Sequence, residues 1–129
     1  MKKRILLLII CIISFSCDFV SSIPFKNKTD HTIYVVAYYK DRDGKTDYNS
    51  VKIDTNDVGN PIFLMNRHIE DLFSNNRNEN PYFLIFHIDT VQKYSNHSYK
   101  SLENEHLYEA KLVFTKDEME NNDWKIIYE

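Results

Sequence analysis

The chain has 129 residues, 16 of them Lys or Arg and 19 Asp or Glu, with two Cys, two Gly and three Pro. That length holds one hydrophobic core and is too short for two domains. The acidic balance argues against nucleic-acid binding through a basic face, and the few Gly and Pro argue against long flexible linkers.

Lys2, Lys3 and Arg4 open the chain and Ile5–Ile13 is an unbroken apolar run. A spanning helix needs about 20 apolar residues, and Asp18 follows too soon for this run to reach that length. A basic start, a short apolar stretch and small residues before a cut describe a signal peptide over residues 1–16. Ser16-Cys17 supplies the cysteine that a lipoprotein signal requires, so Cys17 is the expected lipidation site. Its acyl chains would hold the protein on a membrane of the cell envelope, facing the periplasm or in the outer membrane, since each buried methylene adds about 0.8 kcal/mol. Removing Lys2, Lys3 and Arg4 leaves 13 basic against 19 acidic residues. Cys11 falls in the removed segment, so a lipidated chain has no disulfide and depends on its core.

Residues 17–24 read as a lipidated tether ending at Pro24, and residues 25–129 as the folded domain. Phe25–Lys28 begins a strand that breaks at Thr29-Asp30-His31. Ile33–Tyr39 is β-branched and aromatic without helical spacing, which marks an interior strand. Asp41–Lys45 is a turn. Asp43-Gly44 between two extended runs favours a hairpin with both central residues at positive φ. Asp41, Asp43 and Asp47 crowd there, but Gly44 comes too early for an EF-hand and no Glu closes the loop. Tyr48–Ile53 is the return strand, and residues 54–60 read as polar loop.

Asn66 can cap a helix of two turns whose buried stripe is Ile69, Leu72 and Phe73. Tyr82–Ile88 is the most apolar stretch after the leader and suits a strand buried on both faces. His87 on that strand reads as a hydrogen-bonded structural residue. Asp89 or Thr90 can cap a turn over Val91–Tyr94, and Ser95 a further turn through Leu102. Asp89-Thr90-Val91 also fits a short bacterial O-glycosylation pattern, but three residues match often by chance and capping is the favoured reading. Asn27-Lys28-Thr29 and Asn96-His97-Ser98 are sequons only in a host that glycosylates asparagine. Leu107–Phe114 alternates as a half-buried strand with Tyr108, Ala110, Leu112 and Phe114 inward. Thr115 and Glu118 form a capping box, Met119 pins the helix that follows, and a last strand turns Trp124, Ile126 and Tyr128 inward.

Three blocks, FKNKTDHTIYVVAYY, FLIFHIDTVQKYS and LVFTKDEMENNDWKIIYE, resemble the small uncharacterised lipoproteins of Bacteroides-type bacteria. They cover about half of the chain after the leader. The resemblance implies a lipoprotein with a compact β-rich fold and carries no activity. That family usually has an aromatic shortly after the serine matching Ser95, and Asn96-His97 departs from it.

No GxSxG elbow, metal-binding histidine spacing or Gly-rich phosphate loop is present, so neither an enzyme nor a cofactor or metal is expected. The expected architecture is a mostly β, single-domain antiparallel β-sandwich, Ig/transthyretin-like, with short helices at the connections. The expected function is a membrane-anchored binding or accessory module. Tyr38, Tyr39, Tyr48 and Tyr99 are candidates for a patch that takes glycan or protein, although core or half-buried strand positions are the favoured reading of them. An immunity-type protein that blocks an antibacterial toxin through an acidic face is the alternative.

Overall fold

The computed structural model describes residues 20–65 and 67–129. Cys17, the leader and Asn66 lie outside them. The described strands are β1 (Val20–Asn27), β2 (Ile33–Lys40), β3 (Thr46–Ile53), β4 (Val58–Met65), β5 (Tyr82–His87), β6 (Ala110–Val113) and β7 (Ile126–Tyr128). They form a β-sandwich of two sheets, ordered β4-β1-β7 and β3-β2-β5-β6. Three short helices, α1 (Ile88–Lys93), α2 (Tyr99–Asn104) and α3 (Lys116–Asn121), and two 3-10 turns occupy the connections.

The main core lies between the sheets. Ile23, Phe25, Ile62, Leu64 and Ile126 from the three-stranded sheet meet Ile33, Val35, Ala37, Ile53, Phe83 and Ile85 from the four-stranded one. The opposite face of the four-stranded sheet carries a second cluster, in which Val36, Tyr38, Leu84 and Phe86 pack with Leu102 of α2. Strands β2 and β5 are therefore buried on both sides, which explains why neither shows a polar/apolar alternation. Sheet, sheet and helices make three layers.

The tether assignment for residues 17–24 is corrected at its C-terminal end. Residues 20–24 belong to β1, which pairs with β4 from Val20↔Met65 to Lys26↔Val58, and Ile23 is fully buried. Pro24 does not end a tether. It sits where the register shifts between Ile23 and Phe25, at a bulge in which its missing N–H interrupts no regular ladder. The sandwich is antiparallel except at one place, where β7 runs parallel to β1 from Phe25↔Ile126 to Asn27↔Tyr128. Asp123 and Trp124, at φ 54° and 56°, turn the chain there after α3, and Trp124 N donates to Met119 O at 2.9 Å to close the helix end.

Other local expectations also change. Residues 58–60 are strand rather than loop, because β4 begins at Val58. Gly59 lets β4 approach β3, since a Cβ there would lie 2.8 Å from Cγ1 of Ile53. The β2–β3 turn has positive φ at Gly44 alone. Gly44 N donates to Asp41 O, and Oδ1 of Asp41 accepts from the amides of Asp43 and Lys45, the pattern of a turn followed by a glycine bulge. Among the described residues, the Asp41–Asp47 region included, no group of three or more His, Cys, Asp or Glu is placed to hold a metal ion.

The helix expected after Asn66 is a single 3-10 turn, Ile69–Leu72, although Ile69, Leu72 and Phe73 are all buried as the stripe required. The caps of α1 and α2 also differ. Nδ1 of His87 accepts from Asp89 N to cap α1, and Ser98 caps α2. The capping box of Thr115 and Glu118 forms as expected, and Met119 is fully buried beneath it. Tyr108 joins the helix-side cluster rather than sharing a face with Ala110, Leu112 and Phe114, because regular pairing of β6 starts only at Ala110.

Candidate functional site

Strand register brings three tyrosines into one row. Tyr38 of β2 lies opposite Tyr48 of β3 and also opposite Tyr82 of β5, so the three side chains share the helix-side face of the four-stranded sheet. The rings of Tyr38 and Tyr82 stack at 4.9 Å, and Tyr48 lies 5.7 Å from Tyr38. Tyr99, at the start of α2, meets Tyr48 edge-on at 6.3 Å and Phe86 at 5.8 Å. The outer end of the row is open, with Tyr48 55% exposed, while Tyr38 is 7% exposed.

Of the four tyrosines picked from the sequence, Tyr38, Tyr48 and Tyr99 come together. Tyr39 does not. Alternation along β2 turns it to the other face, where it packs on the main core. Tyr82 takes its place, a residue concealed in sequence by the apolar run it begins.

A charged clamp closes the inner end. Glu103 of α2 is buried, and its carboxylate accepts from Lys100 Nζ at 2.8 Å and Lys111 Nζ at 3.2 Å. The Tyr82 hydroxyl donates to the same carboxylate at 3.3 Å. Lys111 Nζ also stands 4.4 Å from the Tyr82 ring centre, and Lys100 Nζ 5.7 Å from that of Tyr38, both within cation–π range. Burial pushes Glu103 toward neutrality, but the hydrogen bonds from Lys100 and Lys111 outweigh it and hold its carboxyl below the usual range. Burial pushes the Tyr38 phenol up to about 12 and raises Tyr82 as well. Both hydroxyls thus stay protonated at neutral pH, and the surface offers the exposed Tyr48 ring and two ammonium groups rather than a phenolate nucleophile.

Beside Tyr82 an open hollow of about 380 Å³ is lined by Arg77, Asn78, Asn80, Tyr82, Lys111 and Val113. Arg77 is oriented by a hydrogen bond to Val113 O and an ion pair with Glu118. Asn80 is held by Ser74 and Phe114 O. The hollow is therefore walled by side chains already fixed in place, as a preformed site requires.

A second polar cluster lies at the far end of the same sheet. His31 Nδ1 is 2.9 Å from Asp30 Oδ1, and its Nε2 is 2.9 Å from Glu109 Oε1. Its ring stacks on His87 at 4.4 Å, and His87 is occupied as the cap of α1. The hydrogen bond to Asp30, then that to Glu109, raises the His31 pKa, while the bond to His31 lowers that of Asp30. A raised histidine contributes stability below its unfolded value of about 6.5 and loses it as pH rises through the folded value. Depressed Asp30 contributes above its unfolded value of about 3.8 and loses it on acidification. Stability should therefore plateau between those two values and fall on the alkaline side. His31→Gln should remove most of that alkaline fall, which urea midpoints at pH 6 and pH 8.5 would measure.

The fold and this face define the chain as a β-sandwich with an aromatic row on one sheet. No protein-family profile, curated protein or solved structure matches it. Among the described residues no helix is long and apolar enough to cross a membrane.

Proposed function

We propose that the chain is a bacterial lipoprotein, anchored through Cys17 to a membrane of the cell envelope, and that it is a non-enzymatic binding module. The tyrosine row is its contact surface and a sugar ring is the ligand that the row fits. The observation that carries this reading is the Tyr48–Tyr38–Tyr82 register with Lys100, Lys111 and Glu103 at its inner end. The exposed ring of Tyr48 takes the C–H face of a pyranose, and the Lys100 and Lys111 ammonium groups, partly open to solvent and held in place by buried Glu103, meet its hydroxyls. Tyrosine supplies that area at low entropic cost. Lysines beside the row favour this reading over a toxin-blocking one, which needs an acidic docking face.

The test titrates the full-length protein with oligosaccharides released from the envelope and follows binding by calorimetry. Tyr48→Ala, at the exposed end of the row, should weaken binding about tenfold, on the order of 1.4 kcal/mol. Tyr39→Ala, on the opposite face, should lower stability and leave affinity unchanged. Equal affinity for the wild type and Tyr48→Ala would exclude the row as the binding surface.

A further inference from the structure

Among the described residues no helix covers the outer face of the three-stranded sheet. Phe63, Met65, Val58 and Ile127 on it are all more than half exposed, at 54%, 59%, 54% and 51%. Phe63 lies opposite Ser22, and Val58 and Ile127 both lie opposite Lys26, so they point to the same side. Pro24, Lys26, Val58, Lys125 and Ile127 line a hollow of about 210 Å³ on it.

Charge is distributed against expectation. The chain has 19 Asp and Glu, yet β1, β4 and β7 contain none; Lys26 and, just before β7, Lys125 lie on this face, and the acidic neighbours in sequence, Asp57 and Glu129, fall outside the strands. An apolar sheet face that carries two lysines and no acidic residue within its strands, inside an acidic protein, complements an anionic lipid surface. The chain path points the same way. Val20 pairs with Met65, and Cys17 is three residues upstream of Val20, a reach of about 10 Å at full extension.

We propose that this face, led by Phe63 and Met65, lies on the lipid surface to which the chain is anchored. The inference rests on the anchor assigned to Cys17 above. It makes the anchored domain a seated one, with a fixed orientation. The tyrosine row is on the outer side of the other sheet, so seating the three-stranded sheet turns the row away from the membrane.

The test uses full-length protein with Trp124→Phe as a background free of native tryptophan. One added tryptophan then reports position, either Phe63→Trp or, on the far face, Tyr48→Trp. Each variant is reconstituted into vesicles of phosphatidylethanolamine and phosphatidylglycerol with or without brominated acyl chains, and palmitate incorporation is measured on the same preparations. Bromines should quench position 63 about twofold or more, because a seated apolar face reaches the acyl boundary, and leave position 48 unchanged. Palmitate present with position 63 unquenched would overturn the seating and leave the anchor standing. That outcome includes a face covered by a second copy or by the leader. Quenching at both positions would overturn the orientation. Protein without palmitate that stays off the vesicles would overturn the anchor and the seating together.

Discussion

Phe83→Ala should destabilise the domain by about 3–5 kcal/mol, the range for emptying a buried phenylalanine site. Phe83 is fully buried on interior strand β5, with its ring 6.1 Å from Phe25 on the opposing sheet and 6.2 Å from Phe114 beyond β6. It touches both sheets at once, so its loss leaves a cavity that neither sheet can close without separating from the other. Domains of this size are stable by roughly 5–15 kcal/mol, and each kcal/mol lost lowers the melting temperature by about 4–8 °C. A fall of roughly 12–40 °C follows, measured by thermal unfolding in the near-ultraviolet. Phe63→Ala is the matched control. Its ring is exposed, so in detergent it should change stability by no more than about 0.5 kcal/mol. Equal shifts for the two variants would mean that the core does not lie between the sheets.

Asn27→Asp should be as damaging, although it changes one NH2 to an oxygen. The Asn27 side chain is fully buried. Its Nδ2 donates to His31 O at 2.8 Å and Ile53 O at 3.0 Å, and its Oδ1 accepts from Thr29 N at 2.9 Å and Thr29 Oγ1 at 2.7 Å. One amide thereby ties the end of β1 to the start of β2 and the end of β3. It also accounts for the sequon at Asn27, whose amide is committed to the core and has no access to a glycan. A carboxylate in its place faces two carbonyl oxygens with no proton to give. Leaving such buried groups unsatisfied costs about 1–3 kcal/mol each, and more for a charge, so a loss of about 3–5 kcal/mol is expected. The pH dependence identifies the cause. Burial against carbonyl oxygens raises the pKa of the introduced carboxyl above the usual value of about 3.9. The variant should therefore lose stability as pH rises from about 4 toward 7 and approach the wild type in acid. Asn27→Ala should show no such pH slope. Urea midpoints of the three proteins at pH 4 and pH 7 decide it.

Strands β2 and β5 are legible in the sequence because burial on both faces leaves an uninterrupted apolar run. Helix α3 is legible because a capping box is a local contract between Thr115 and Glu118 that needs no distant partner. Strand β1 is concealed by Ser21, Ser22 and Pro24, polar or ring-closed residues that read as tether until β4 is seen alongside them. The first residues of β4 hide in the same way, since Gly59 and Asn60 are chosen for close approach and for an exposed edge rather than for strand propensity.

The tyrosine row shows where residue types stop being enough. Tyr38 and Tyr48 are visible as candidates, but their pairing depends on the turn. A two-residue loop at Asp43-Gly44 would set Arg42 opposite Lys45 and so Tyr38 opposite Asn49. The glycine bulge shifts the register by one and sets Tyr38 opposite Tyr48. The same one-residue logic sends Tyr39 into the core. Tyr82 and Glu103 enter only through contacts between β5, β2 and α2, which no local pattern encodes.

Both the seating and the outward-facing row depend on a covalent link at Cys17, so the most direct measurement is the mass of the N-terminal peptide of the protein recovered from membranes. The expected peptide begins at Cys17, with a diacylglyceryl group in thioether linkage to its sulfur and Asp18 following it. A peptide that begins at Met1, or an unmodified Cys17 thiol, would contradict the account.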